Sequence, residues 1–312
     1  MDRRVRGARQ GDGRARPAPA RGAGRLRGEG EARRGRGRGR GTDEMSLDAT
    51  RLYLRLAAAS LRAQMQYRAS FVMWSVGQFI TVGIELLGAW ALFDRFGAVR
   101  GWRFAEVALL FGLVNVSFAL AESFGRGFDT FSAMVKSGDF DRLLLRPRST
   151  AFQVATGEFQ FLRAGRLAVG LVMLLWAGSA LSVGWTAAKL ALLAGAIVGG
   201  ACVFYGLLVL QATLCFWTVE SLEIMNALTY GGTEAAQYPL TLYRDWFRRF
   251  FTFVVPLAFV SYIPAGALLD RPTVPALPEA ARWASPLVGV AFLLVSLRIW
   301  RFGERRYQST GS

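Results

Sequence analysis

From Met45 onward, long apolar runs alternate with short polar segments. Six runs approach the roughly 20 residues a helix needs to cross a hydrocarbon core. They lie at about 71–93, 104–124, 167–183, 190–217, 250–269 and 284–302. The pattern predicts an all-α integral membrane protein with six transmembrane helices. Pro256 and Pro264 are expected to kink the fifth. Gly195, Gly199 and Gly200 in the fourth are expected to let a neighbouring helix approach closely.

The polar segments carry patterns of their own. Ahead of the first span, Leu52, Leu56, Ala59, Ala63 and Tyr67 recur at helical spacing, with Arg51, Arg55 and Arg62 on one flank. This reads as a helix lying in the inner membrane interface, its arginines near anionic headgroups. The alternative is a plain cytosolic extension of the first span. The segment 125–166 between spans two and three is long. Phe128, Phe131 and Val135 suit a short amphipathic helix, Ser137-Gly138-Asp139 a turn, and Arg146-Pro147 a stop. Its charged stretch SGDFDRLLLRP, between two apolar runs, has the character of a surface that another protein reads. Residues 218–249 read as an inner loop of short helices broken by turns. Pro272, Pro275 and Pro278 exclude a regular helix from the outer segment 270–283.

Charge orients this pattern. With the N-terminus inside, the inner segments from Met45 onward carry eighteen Lys and Arg and the outer ones six. The positive-inside rule then puts both termini in the cytoplasm. Arg95, Arg100 and Arg103 in one outer loop dissent. The formal charge of +16 is shared equally between residues 45–312 and a tract at 1–44 with fourteen Arg and six acids. That tract is too poor in apolar residues to bury a core and is expected to be a disordered Arg/Gly-rich tail. RRGRGRGRG resembles an Arg/Gly nucleic-acid-binding segment, but it lacks stacking aromatics, so no nucleic-acid partner is expected. Met45 is a natural start for the membrane-spanning part of the chain, and no apolar h-region marks the tract as a signal peptide.

Several chemistries are missing. The chain has no His, and its two cysteines, Cys202 and Cys215, share one apolar run. No metal spacing occurs, and neither a metal nor a cofactor is expected. Neither lysine, Lys136 or Lys189, follows the glycine of a phosphate loop, so ATP hydrolysis belongs to another chain or the driving force is an ion gradient. The chain reads as non-catalytic, since no catalytic motif is found in it. Glu85 lies well inside the first span, two turns after Gln78. It reads either as a polar contact to substrate or partner helix, or as a buried hydrogen bond that fixes packing. Glu106 and Glu122 are expected to reach the membrane interfaces, and Glu158 to make an interfacial or loop contact.

Three stretches carry a resemblance: RAQMQYRAS at 62–70, KSGDFDRLLLRP at 136–147, and AQYPLTLYRDWFRRFFTFVVPLAFVSYIPAGAL at 236–268. With them the chain resembles the six-span permease subunits of ABC-2-type transporters, over 45–312. The resemblance implies a half-transporter that pairs with a second permease subunit, identical or related, and with separate ABC ATPase subunits. It implies an N-terminal interfacial helix, a cytosolic coupling helix between spans two and three, and an element between spans five and six that re-enters the outer leaflet. Phe128, Phe131, Lys136, Gly138, Asp139, Phe140, Asp141 and Arg142 would then form the ATPase-coupling surface, with the aromatics filling a groove on the ATPase. The function implied is ATP-driven export of a hydrophobic or amphipathic substrate. A stand-alone secondary transporter, with Glu85 as its carboxylate, is the alternative.

Overall fold

A computed structural model describes residues 68–158, 163–218, 222–271 and 277–308, together with scattered positions between 55 and 66. The Arg/Gly-rich tract and most of the amphipathic segment before the first span lie outside the described residues. Within that segment Arg55 and Arg62 are helical and exposed, and Arg51 is not described.

The described residues form an antiparallel helical bundle. Helix α1 is Arg68–Phe96 and α2 is Phe104–Asp129. Between them β1 (Ala98–Val99) and β2 (Trp102–Arg103) make a two-residue hairpin, the one departure from helix among the regular elements described. Arg100 and Gly101 turn it with φ of 49° and 81°, the left-handed pair that matches strand twist. Short helices α3 (Phe131–Lys136), α4 (Asp139–Leu144) and α5 (Thr150–Gly157) come next. Then come α6 (Ala164–Ala180), α7 (Ala187–Leu214) and α8 (Leu222–Ala236). A bent element holds α9 (Asp245–Arg249), a π-helical turn at Phe250–Val254, a 3-10 turn at Leu257–Phe259 and α10 (Tyr262–Leu268). Helix α11 is Ser285–Glu304.

Among the described residues, four helices are long and apolar enough to cross a membrane: α1, α2 with its continuation α3, α7 and α11. Helix α6 is apolar but only 17 residues long. Only 17% of the most apolar stretch of α1 is buried, against 83% for α2. Helix α2 is therefore the axis of the bundle, and α1 turns most of its surface outward. Glycines set the closest approaches. A Cβ on Gly289 of α11 would overlap the Gly199 carbonyl of α7, and one on Gly199 would lie 2.6 Å from the Ser285 carbonyl. Of the small residues expected to admit a close neighbour in the fourth span, Gly195 and Gly199 do so against α11, and Gly200 against Ser117 of α2.

The bend expected at Pro256 is present and sharp. The stretch 250–269 is not one straight span: α9 with its π turn and the segment containing α10 bend by 78°. Pro256 sits at the break, where it cannot donate to the helical ladder. Pro264 lies in the first turn of α10, where no intrahelical donor is needed, and causes no kink. Both arms return to the hairpin end of the bundle. Arg100 donates to the Thr241 carbonyl at 2.6 Å, and Arg271 donates to the Gly101 carbonyl at 3.1 Å. Lys189, at the start of α7, donates to the Leu268 carbonyl and pairs with Asp270, at 2.9 and 2.8 Å. The tip at Val255–Val260 packs deeper, on Val114, Phe118 and Phe204. The element is a helical hairpin dipping into the bundle. It lies before the proline-rich segment; Pro272 and Pro275 of that segment lie outside the described residues.

Helix α8 instead runs through the bundle. Near its start Asn226 accepts from Gln211 at the far end of α7, at 3.2 Å. Past its end, Leu240 packs with Trp102 and Tyr262 at the hairpin end. The supposed inner loop 218–249 thus traverses from one end of the bundle to the other. Its Asn226, Thr229, Thr233, Glu234 and Gln237 kept it below any hydropathy threshold. Asn226 and Thr229 meet the Gln211 side chain, and Thr233 donates to the Thr229 carbonyl.

Candidate functional site

At the end of the bundle opposite the hairpin, α2 passes into α3 and α4. Thr130 joins them, its hydroxyl donating to the Arg126 carbonyl and to Glu158 Oε2, at 3.2 and 3.1 Å. Glu158 thus makes the expected loop contact. Gly138 reverses the chain with φ of +75°, a conformation that costs a residue with a Cβ about 1–2 kcal/mol. Ser137 Oγ donates to Asp139 Oδ2 at 2.7 Å across this turn.

The rings of the segment point inward. Phe128, Phe131 and Phe140 are fully buried in this chain's own core, with Phe216 after α7 and Trp300 of α11. Phe131 meets Phe140 edge-on at 5.1 Å and Trp300 at 4.9 Å. The chain folds back beyond α11 so that Tyr307 caps Phe140 at 5.0 Å. These three aromatics cannot fill a groove on another protein. Sequence periodicity found the buried face of the helix but could not say whose core buried it.

What remains outside is charged, with two leucines. Lys136, Asp139 and Arg142 are exposed, and Asp139 pairs with Arg142 at 3.2 Å. Leu145 is 87% exposed and Leu144 beside it 42%. Asp141 is half-buried near Tyr307; burial first, and this carboxylate second, push the tyrosine hydroxyl's pKa up. The two aspartates therefore have different situations: Asp139 faces solvent, and Asp141 faces the chain's own C-terminal segment.

The ionisable residues near the ends of α2 are buried in the protein and paired. Glu106 is buried, pairs with Arg271 at 2.7 Å and accepts from the Arg103 backbone at 2.8 Å. Glu122 is buried and pairs with Arg163 at 3.0 Å. The two charges in each pair come from distant parts of the chain, so no local pattern could reveal them. Glu85 and Gln78 are half-buried on one face of α1, with fully buried Val82 between them. One oxygen of Glu85, Oε2, is buried without a hydrogen-bond partner. Glu234 of α8 and Arg166 of α6 form the charged surroundings on that side, with Glu85 within electrostatic reach of Glu234.

A second polar cluster joins three elements, α2, α7 and α8, at the Asp129 end. Arg126 pairs with Asp129, and Gln211 donates to Asp129 Oδ1 at 3.3 Å. Thr229 donates to Gln211 Oε1 at 3.3 Å. The Tyr230 hydroxyl lies 3.4 Å from both Glu122 Oε1 and Asp129 Oδ2. Tyr230, Gln211 and Asp129 carried no signal in the sequence, because their spacing spans about a hundred residues. No group of three or more metal-ligating side chains occurs among the described residues.

A family model described as ABC-2 family transporter protein matches residues 79–311. The chain belongs to that family. No curated protein and no solved structure matches it. The match covers α2 and every later element, and most of α1. An ABC-2 permease is a multi-pass membrane subunit of an ABC transporter, a class that is generally non-catalytic and works with an ABC ATPase.

Proposed function

We propose that this chain is the transmembrane half of an ATP-driven exporter, and that its ATPase is a separate subunit docking on residues 131–148. The observation that carries this reading is the segment's two-sided construction. A buried aromatic set holds α3 and α4 rigidly on the ends of α2, α7 and α11. The opposite side offers Lys136, Asp139 and Arg142 around exposed Leu144 and Leu145. Apolar anchors ringed by charge are what a specific protein interface needs. A load applied there reaches three long helices at once.

In this reading α1, α2, α6, α7, α8 and α11 make six crossings, and α9 to α10 re-enter from the outer face. Both termini are cytoplasmic, and the membrane is a bacterial plasma membrane. Moving Arg244, Arg248 and Arg249 to the outer side weakens the basic bias but does not reverse it. Helix α8 leaves Asn226, Gly231 and Glu234 exposed. Such a face is costly against lipid. This supports a second permease subunit opposite it, across a path for a hydrophobic or amphipathic substrate.

The test is co-purification. Asp139→Arg combined with Leu145→Arg should abolish recovery of the ATPase subunit and its stimulation by the permease. Unchanged recovery and stimulation would defeat the docking assignment.

A further inference from the structure

The docking segment and the traversing helix α8 meet at one hydroxyl. Asp129 is the last residue of α2, two positions before α3 begins. Tyr230 lies in the middle of α8. Its hydroxyl has a single proton to donate and stands 3.4 Å from two carboxylate oxygens, Glu122 Oε1 and Asp129 Oδ2. Each carboxylate has a firm partner of its own, Arg163 for Glu122 and Arg126 for Asp129. The tyrosine can therefore serve either acid without stranding the other. Glu122 Oε2 is buried with no hydrogen-bond partner, so the site holds an unused acceptor. Gln211 brings α7 into the same cluster through Asp129 and Asn226.

We propose that Tyr230 is a positioning residue that links α8 to the docking segment by switching its hydroxyl's hydrogen bond between Asp129 and Glu122. This rests on the reading of residues 131–148 as the ATPase contact. Displacement of α3 carries Asp129 with it, because only Thr130 separates them. With Asp129 drawn away, the hydroxyl turns to Glu122, one side of α8 is released, and the helix shifts against α2. The other charged and polar groups around the hydroxyl and its two carboxylates are Arg126 of α2, Arg163 before α6, Arg166 of α6 and Gln211 of α7. Arg126 and Arg163 keep each carboxylate paired whichever acid the hydroxyl serves, so the tyrosine is the part free to change partner.

The experiment uses full-length permease with its co-purified ATPase, in liposomes. Cys202 and Cys215 are replaced by Ala, and Gly231→Cys supplies a reporter at an exposed position on α8 where a side chain meets nothing within 4 Å. Labelling by a maleimide is compared with and without ATP and vanadate. The parent should show an ATP-dependent change in labelling rate. Tyr230→Phe should reduce that change roughly tenfold, the scale set by losing a hydrogen bond to a charged group, while ATPase recovery stays at the parent level. Asp129→Asn should act alike, and the double variant should add nothing to either single one. Tyr243→Phe, which removes another tyrosine hydroxyl contact, to the Ala235 carbonyl at 3.2 Å, should leave the change intact. A parent without ATP-dependent labelling overturns the inference, as does an equal response from Tyr230→Phe and Tyr243→Phe. If no ATPase is recovered with the parent, the docking assignment fails instead.

Discussion

Trp300 donates its indole N–H to the hydroxyl of Thr150 at 3.1 Å, although 150 residues separate them in the chain. This buried bond ties the last helix to the segment after α4. It also orients the ring against which Phe128, Phe131, Phe140 and Phe216 all pack. The segment 131–148 is thus built on the C-terminal helix as much as on α2.

Replacing Trp300 should expose that dependence. Trp300→Ala removes the centre of the cluster and is expected to cost about 3–5 kcal/mol. Trp300→Phe keeps most of the packing, loses the donor, and should cost about 1 kcal/mol. Thermal unfolding in detergent measures both. Equal losses from the two would mean that the ring's volume contributes little.

The α7–α11 seam tolerates nothing larger than glycine at its closest point. Gly289→Leu must push the helices apart, since even a Cβ there overlaps the Gly199 carbonyl. Overpacking of this kind costs about 1–3 kcal/mol or more. Gly231→Ala, in open space on α8, should change stability far less. Melting temperatures of the two variants should differ clearly, and matching values would mean that the seam has room for a side chain.

At the hairpin end, Arg271 lies over the Trp102 ring at 5.2 Å while it pairs with Glu106. Arg271→Met should leave a buried carboxylate without its main partner, at a cost of about 3–5 kcal/mol. Adding Glu106→Gln removes the stranded charge and should recover part of the loss. A double variant no more stable than Arg271→Met would show that the pair does not carry the energy.

The path of α8 makes a topological prediction. In a chain without Cys202 and Cys215, Arg244→Cys and Arg142→Cys should respond oppositely to an impermeant maleimide on intact cells. Arg244→Cys should label and Arg142→Cys should not. The hydropathy reading puts both on one side, so equal labelling would restore it.

Apolar run length and loop charge were enough to determine an all-α membrane chain, its long helices, the small residues that admit a neighbour and the turn at Gly138. These depend on local properties: residues per turn, transfer free energy and backbone freedom. The family resemblance came from short local strings as well. Only the tertiary structure decided which way the aromatics of the segment 128–140 face, because burial by Trp300 and Phe216 is a long-range event. Only it decided that α8 traverses the bundle while 250–269 doubles back. A polar stretch can enter a membrane protein when distant side chains such as Gln211, Asp129 and Glu122 satisfy it. Hydropathy scores each residue as if lipid surrounded it, and that assumption fails where helices solvate one another.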